Sequence, residues 1–291
     1  MTDIIASLAR SVELVQASAR VLRTDPELLI LPLLSGVASL TVGGFMIWQV
    51  MGTGIIPMVK DGQPVEELSA AFYLWLFAFY FVEYFIIIFF NTALVGAAIA
   101  KLDGSDPTIG SSIALAWNRI IPIIGYALIS ATLGVLLRWL AERLGLLGRL
   151  IEFGAGLAWT VATFLVVPVL ATEGVGPFKA ISRSGELLSE TWGENLIGRS
   201  GISVVTSLLG AIVAVIGIGT GVKLVSDGSG PFGFSVLVLT AMVFIAILVV
   251  STALSGIYSA AVYYFAFTGA APEGFDKSLI RGAFGPKESG D

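Results

Sequence analysis

Glu83 and Asn91 are polar residues whose positions in this sequence favour a chemical role. Glu83 is the single charged residue in the apolar run from Phe72 to Ile99, and Asn91 follows eight residues later on nearly the same helical face. An ionised carboxylate at the centre of a bilayer costs about 2.5–3.5 kcal/mol on insertion scales. We therefore expect Glu83 to face protein, with Tyr80, Tyr84 and Asn91 as candidate hydrogen-bond donors. The pair predicts a polar site for a proton or a polar substrate; the alternative is a neutral Glu83 that hydrogen-bonds two helices together.

The sequence lacks the residues of most catalytic and metal centres. It has no histidine and no cysteine, which excludes Ser-His-Asp triads, thiolate metal sites, disulfides and histidine-ligated haem. A Ser–Lys dyad would need a lysine within an apolar run, and an aspartyl intramembrane protease would need two aspartates there; the runs contain neither. Glu186, Glu190 and Glu194 repeat every four residues, which suits a solvated helix face better than a metal site. We expect no catalytic residue, no cofactor and no metal.

The composition indicates a membrane protein. Of the 291 residues 56% are hydrophobic and 13% are charged, against about 45–50% and about 25% in soluble domains. The mean hydropathy is +0.92. The net charge of −5 offers no basic surface for nucleic acid. These values predict an all-α polytopic membrane protein.

Six membrane spans are predicted from the uncharged runs, because a helix needs about 20 apolar residues to cross a bilayer. The runs cover Leu28–Val50, Phe72–Ile99, Ile120–Leu137, Phe153–Thr172, Gly201–Val222 and a last stretch that we interpret as one long helix from about Phe234 to Phe267. Residues 1–275 are then a single six-helix transmembrane domain, and residues 276–291 are a tail.

The distribution of basic residues predicts the orientation. Six spans place both termini on one side, and that side carries eleven lysines and arginines: Arg10, Arg20, Arg23, Lys101, Arg119, Lys179, Arg183, Arg199, Lys277, Arg281 and Lys287. The other side carries five: Lys60, Arg138, Arg143, Arg149 and Lys223. Since basic residues concentrate on the cytoplasmic side, both termini and the tail are expected in the cytoplasm of a bacterium, with the spans in its inner membrane.

Three amphipathic segments precede the odd-numbered spans. They cover about 4–22, 107–118 and 177–192, and in each one the apolar residues are three or four residues apart. The predicted apolar stripes include Leu8, Val12 and Val15 in the first segment; Ile109, Ile113 and Trp117 in the second; and Phe178, Ile181 and Leu188 in the third. Together with the short match between Arg10–Val15 and Arg183–Leu188, this pattern predicts three hairpins, each preceded by a cytoplasmic interfacial helix.

Small residues mark candidate helix-packing faces. Gly217 and Gly221 give a GxxxG spacing in the fifth span, and Ser251, Ser255 and Ser259 repeat every four residues in the sixth. Small side chains let membrane helices approach closely, either within one chain or between two copies.

Several stretches resemble a known family. They are Asp25–Gly36, Asn91–Ala98, Val167–Ser184, Thr191–Glu194 and Ser255–Tyr258. Together they resemble a bacterial six-span integral membrane family of unknown function and, more distantly, the membrane domain attached to some glycerophosphodiester phosphodiesterases. The resemblance covers nearly the whole chain and is most specific from Pro168 to Glu194. It implies a fold and a location but no activity.

Two classes of function remain open on the sequence. The first is a non-enzymatic module, either a scaffold or an accessory subunit of an inner-membrane assembly. Its expected partners are membrane lipids and either another membrane protein or further copies of the chain. The second is a transporter or lipid-handling permease with a polar site near Glu83 and Asn91.

Overall fold

The described part of the chain is helical throughout. The structure is a computed structural model that describes residues 16–53, 69–192 and 201–270, and these residues contain no strand. The helices are α1 (16–24), a short 3-10 helix (Pro26–Leu29), α2 (Ile30–Met51), α3 (Ala70–Leu102), α4 (Ile109–Asn118), α5 (Ile120–Ala162), α6 (Val166–Glu173), α7 (Pro177–Trp192), α8 (Gly201–Ser226) and α9 (Gly230–Thr268). The predicted all-α fold is confirmed. The predicted tail and the first segment up to residue 15 lie outside the described residues.

Five stretches of the described chain are long and apolar enough to cross a membrane. They are Pro26–Met51, Ala70–Leu102, Ile120–Glu173, Thr206–Ser226 and Gly230–Thr268. The last apolar stretch of the sequence is one helix of 39 residues, as its lack of a turn predicts. The stretch Ile120–Glu173 contains both the third and the fourth predicted spans.

The chain reverses direction within α5 at Gly145. This residue has φ 54° and ψ −125°, a conformation that only glycine adopts readily. A Cβ on Gly148 would lie 2.7 Å from the Cα of Ala141, although seven residues of straight helix span about 10 Å. Further from the turn, the rings of Tyr126 and Trp159 stack with their centroids 6.3 Å apart. The arms 120–144 and 146–162 are therefore adjacent and antiparallel.

A break separates α5 from α6 at residues 163–165. Pro168, in the first turn of α6, has no N–H and in a continuous helix its ring would clash with the carbonyl of Phe164. The break leaves the backbone N–H of Leu165 without a helical acceptor, and it donates instead to Ser184 Oγ at 3.1 Å. Ser184 in turn donates to the carbonyl of Ala162 at 2.8 Å. The fully buried Ser184 of α7 thus bridges both sides of the break.

Ser184→Ala is expected to lower the free energy of unfolding by about 1–3 kcal/mol, because the Leu165 N–H would stay buried without an acceptor. Denaturant unfolding in detergent micelles measures the change. Ser182 is exposed on the same helix and bonds only to Glu186 Oε1 there, so Ser182→Ala is the matched control. Equal stability of the two variants would contradict the bridging role of Ser184.

The short helices bury only part of their predicted stripes. The helix α7 has the predicted bounds. The helix α4 begins two residues later than predicted, because the Thr108 side chain caps it by accepting a hydrogen bond from the backbone N–H of Ser111. In the predicted stripe of α7, Leu188 is buried and Ile181 is half-buried, whereas Phe178 is 76% exposed; in α4, Trp117 is 65% exposed. The buried residues are Ala17, Ser18, Val21 and Leu22 in α1, Ser112 and Ala116 in α4, and Ala180, Ser184, Leu187 and Leu188 in α7. Small side chains let these helices approach their neighbours closely.

Contacts among the residues fall into two units. Among the described residues, the first unit contains 16–32, Ala98–Asp106, 191–192 and 201–270; the second contains 33–53, 69–97 and Pro107–Glu190. In the first unit α9 contacts α8 and the 3-10 helix. In the second unit, α3 meets α4 where Gly96 lies against Leu115, and α5 meets α7 where Gly125 lies against Pro177.

Candidate functional site

Glu83 of α3 lies against a glycine of α2. A Cβ on Gly43 would be 2.5 Å from Glu83 Oε1 and 3.4 Å from its Cδ, so the carboxyl group fills the space that the glycine leaves. Glu83 Oε1 is shut off from solvent and has no hydrogen-bond partner among the described residues. The hydroxyl of Ser39, one helical turn before Gly43 on the same face of α2, is also buried without such a partner. Two unpaired polar atoms therefore lie at one helix contact.

The two tyrosines considered as donors to Glu83 lie on another side of α3. The ring of Tyr80 and the hydroxyl of Tyr84 are 3.5 and 3.9 Å from a Cβ on Gly134 of α5. In α5 the buried Tyr126 interacts with the side chains of Thr163 and Ser130, and Tyr84 is near it. These hydroxyl groups form a separate polar cluster at the helix break.

Asn91 is half-buried in α3, eight residues from Glu83. This spacing corresponds to about 12 Å of helix rise. The described contacts place Glu83 against Gly43, and they give Asn91 no part in that contact. The prediction that the two residues form one site is not tested by this arrangement.

Sequence reasoning missed Ser39 and Gly43 as neighbours of Glu83. Their spacing of four residues puts them on one face of α2, and both are small, which is a signal for close helix packing. The sequence does not say which α3 residue they meet, because that depends on how the two helices are aligned.

Charged residues lie at helix ends in the described chain. Lys101 at the end of α3 contacts Asp106 Oδ1 at 2.5 Å and Asp25 Oδ2 at 3.6 Å. The hydrogen bond from the Lys101 ammonium group lowers the pKa of the exposed Asp106 carboxyl group. Arg119 lies against Gly174, where its guanidinium group approaches the last carbonyls of α6. These contacts favour a structural role, since a cation stabilises a helix C-terminus.

A third charged group lies near the turn of α5. Glu142 accepts a hydrogen bond of 2.5 Å from the Tyr73 hydroxyl and one of 2.7 Å from Arg138. Arg143 lies over the ring of Trp139, 5.2 Å from its centroid. Within the described residues, no group of three or more acidic residues could hold a metal ion.

Three of the small residues predicted as packing positions, Gly217, Gly221 and Ser251, lie at the contact between α8 and α9. Gly217 faces Thr240, and a Cβ on Gly221 would be 2.6 Å from Leu237 and 3.2 Å from the carbonyl of Gly233. Ser251 donates to Thr206 Oγ1 at 2.9 Å, so it also faces α8. Ser255 is half-buried, and the buried Ser259 donates to the carbonyl of Gly256 in its own helix.

The fold and the polar contacts define an all-helical protein whose apolar helices are typical of a membrane protein. The chain belongs to DUF6159, a family of unknown function whose model matches residues 70–274. No curated protein and no solved structure matches it. The predicted similarity to the membrane domain of glycerophosphodiester phosphodiesterases therefore stays a prediction.

Proposed function

We propose that this protein is a non-enzymatic scaffold or accessory subunit of a bacterial inner-membrane assembly, with six spans in three hairpins. The proposal treats the arms of α5 as separate spans, and the reversal at Gly145 supports this. The helices α1, α4 and α7 are then cytoplasmic interfacial helices, with Trp117 and Phe178 directed to the lipid headgroups. Aromatic side chains at the membrane interface are common anchors.

The outward surface of the α8–α9 hairpin carries the scaffold proposal. Over an apolar stretch of 18 residues in each helix, 6% of the residues in α9 and 11% of those in Thr206–Ser226 are buried, against 56% of those in α3. Within these windows the hairpin packs on itself through glycines and leaves most of its side chains exposed, whereas most residues of α9 from Ala253 to Tyr263 are buried. We propose that another membrane protein covers part of this surface.

Purification in nanodiscs tests the scaffold function. We expect a stoichiometric membrane-protein partner. We expect Gly219→Trp to remove it, because a side chain at this position of α8 would extend into open space, where the partner would lie. Gly36→Trp on α2, where space is equally open, is the matched control and should keep the partner. A native chain that purifies without any partner would contradict the proposal.

The proposed topology leads to a second expectation. Reporter fusions at the C-terminus and in the Gly52–Ser69 connection should report opposite sides of the membrane, with the C-terminus in the cytoplasm. The reason is the excess of basic residues on the side of the termini. Reporters on the same side would exclude six spans.

A transporter or lipid-handling permease is the second candidate, and one observation favours it. Glu83 Oε1 is buried and has no hydrogen-bond partner within the part of the chain that the structure describes, whereas a carboxyl group that merely joins two helices would be hydrogen-bonded across them. A chain that purifies alone, with a lipid bound beside Glu83, would favour this candidate over the scaffold.

A further inference from the structure

We propose that the turn of α5 at Gly145 lies at the boundary between lipid acyl chains and headgroups, and that Arg143 and Arg149 hold the phosphate of an anionic phospholipid there. The inference goes beyond the proposed function, because neither the partner on α8–α9 nor the site near Glu83 involves this surface. In the proposed topology, the bound lipid belongs to the outer leaflet of the inner membrane.

The residues around the turn are apolar and exposed. Between Arg143 and Arg149 the sequence has only leucine and glycine. A chain reversal in water is usually built from Gly, Pro, Asn, Asp and Ser, and a group of exposed large apolar side chains marks a contact with protein or membrane. Four leucines next to Gly145 are 45–77% exposed: Leu144, Leu146, Leu147 and Leu150.

Two other turns of the chain provide a comparison. Gly104 and Gly228 also have positive φ, at 82° and 86°, and each follows an aspartate and precedes a serine. Aspartate and serine are typical of turns that face water. At Gly145, where φ is 54°, leucines take both of these places. The apolar neighbours are therefore not required by the backbone conformation, and they indicate a different environment.

The length of the second arm of α5 places the turn near the edge of the hydrocarbon. The other end of this arm contacts α7, because Ser184 donates to the carbonyl of Ala162 at 2.8 Å. Lys179 and Glu186 of α7 are exposed and charged, so α7 lies outside the hydrocarbon. Residues 146–162 form about 25 Å of helix, against about 30 Å for the hydrocarbon core. The turn therefore reaches the opposite headgroups without passing beyond them.

Two arginines flank the turn without an acidic partner. The two acidic residues of α5, Glu142 and Glu152, both act on Arg138, and Glu142 pairs with it at 2.7 Å. Arg143 and Arg149 are exposed, and neither forms an ion pair with a described residue. An arginine carries five N–H donors in a fork that matches a phosphate group. The positive charge at the turn is therefore complementary to a phosphate.

The leucines determine which kind of phosphate suits the turn. A dissolved phosphate ion would leave them in water, whereas a phospholipid covers them with its acyl chains while its phosphate meets the arginines. Apolar side chains next to basic ones are the usual means by which proteins bind anionic lipid at an interface. In a zwitterionic lipid the phosphate is already neutralised by the cationic part of the headgroup. The turn therefore favours a lipid with net negative charge, such as phosphatidylglycerol.

A fluorophore on the turn tests its environment in the full chain. The sequence has no cysteine, so Leu147→Cys provides a single thiol for a bimane label. In nanodiscs we expect strong quenching by phospholipids brominated near the start of the acyl chains and little quenching by iodide in the water. Ser229→Cys, in the polar turn after α8, is the matched control, because Ser229 is exposed there. Its label should be quenched by iodide and hardly by the brominated lipids.

The same label at residue 147 measures which lipid lies beside the turn. Quenching by brominated phosphatidylglycerol, compared with brominated phosphatidylcholine, gives the relative affinity for the anionic lipid. We expect a clear preference for phosphatidylglycerol, and we expect Arg143→Gln and Arg149→Gln each to lower it about fivefold, the usual contribution of one basic residue at an anionic surface. Arg143→Lys and Arg149→Lys keep the charge and should stay close to the native preference.

Four results would overturn the proposal. Strong quenching by iodide at residue 147 would place the turn in water, and a label that neither quencher reaches would mean that a protein covers it. Equal quenching by the two brominated lipids, or equal behaviour of the glutamine and lysine variants, would exclude the phosphate contact. None of these results bears on whether a partner protein co-purifies or a lipid is bound beside Glu83. Failure of this inference is therefore distinguishable from failure of either proposed function.

Discussion

Gly148→Ala is expected to lower the free energy of unfolding by about 3 kcal/mol or more, and we expect it to open the hairpin of α5. A Cβ at this position would lie 2.6 Å from the carbonyl oxygen of Leu140, 2.7 Å from the Cα of Ala141 and 2.9 Å from its carbonyl oxygen. All three opposing atoms are backbone, so no side chain can rotate away. The arms must separate at the turn, which removes the packing that the reversal at Gly145 permits.

Denaturant unfolding in mixed micelles, followed by tryptophan fluorescence, measures this effect. Trp159 stacks on Tyr126 across the two arms, so its fluorescence, measured in a background in which the other five tryptophans are phenylalanine, reports whether the arms stay together. Gly154→Ala is the control, because Gly154 is in the same arm and a Cβ there meets open space. The control should keep or slightly raise stability, since alanine favours a helix by up to about 1 kcal/mol over glycine. Similar curves for both variants would refute the tight turn.

Gly233→Ala is expected to separate the start of α9 from the end of α8, at a cost of about 3 kcal/mol. A Cβ on Gly233 would meet the carbonyl oxygen of Gly221, the backbone nitrogen of Val225 and Cγ2 of Val225, each at 2.7 Å. Two of these atoms are backbone, so the helices themselves must move apart. Backbone contact at this distance exists only because both Gly221 and Gly233 lack side chains.

The same unfolding measurement applies to Gly233→Ala. Gly219→Ala, which adds a methyl group to the outward face of α8, is the control and should leave stability nearly unchanged. Loss of stability in both variants would mean that glycine is needed on α8 and α9 for a reason other than their contact.

The helices were largely predictable from the sequence, whereas their buried faces were predicted only in part. The length of the last apolar stretch and its lack of charge predict the single helix α9. Pro177 predicts where α7 begins. The stripes of α4 and α7 were assigned by taking large apolar residues as buried, a rule that holds in water. In α4 and α7 the rule fails in part, since Trp117 and Phe178 are exposed while Ser112 and Ser184 are buried.

Of the residues in the candidate site, only Glu83 was predicted from the sequence. The depth of Glu83 in an uncharged run marks it from the sequence alone. Its neighbours Ser39 and Gly43 depend on the alignment of α2 with α3, which a single sequence does not encode locally. Pro168 indicates a kink near residues 163–165 from the sequence, but the bridging of that break by Ser184 depends on the three-dimensional path of α7.

The abrupt turn at Gly145 has a consequence for the biogenesis of the protein. In the proposed topology this turn of α5 has to pass through the bilayer during synthesis, and Arg138, Arg143 and Arg149 pass with it. Each arginine at the bilayer centre costs about 2.5–3.5 kcal/mol on insertion scales. Arg138 has its counterion, Glu142, one turn away on the same arm, and Arg143 lies over Trp139. The nascent hairpin therefore carries partners for these two charges as it enters the membrane.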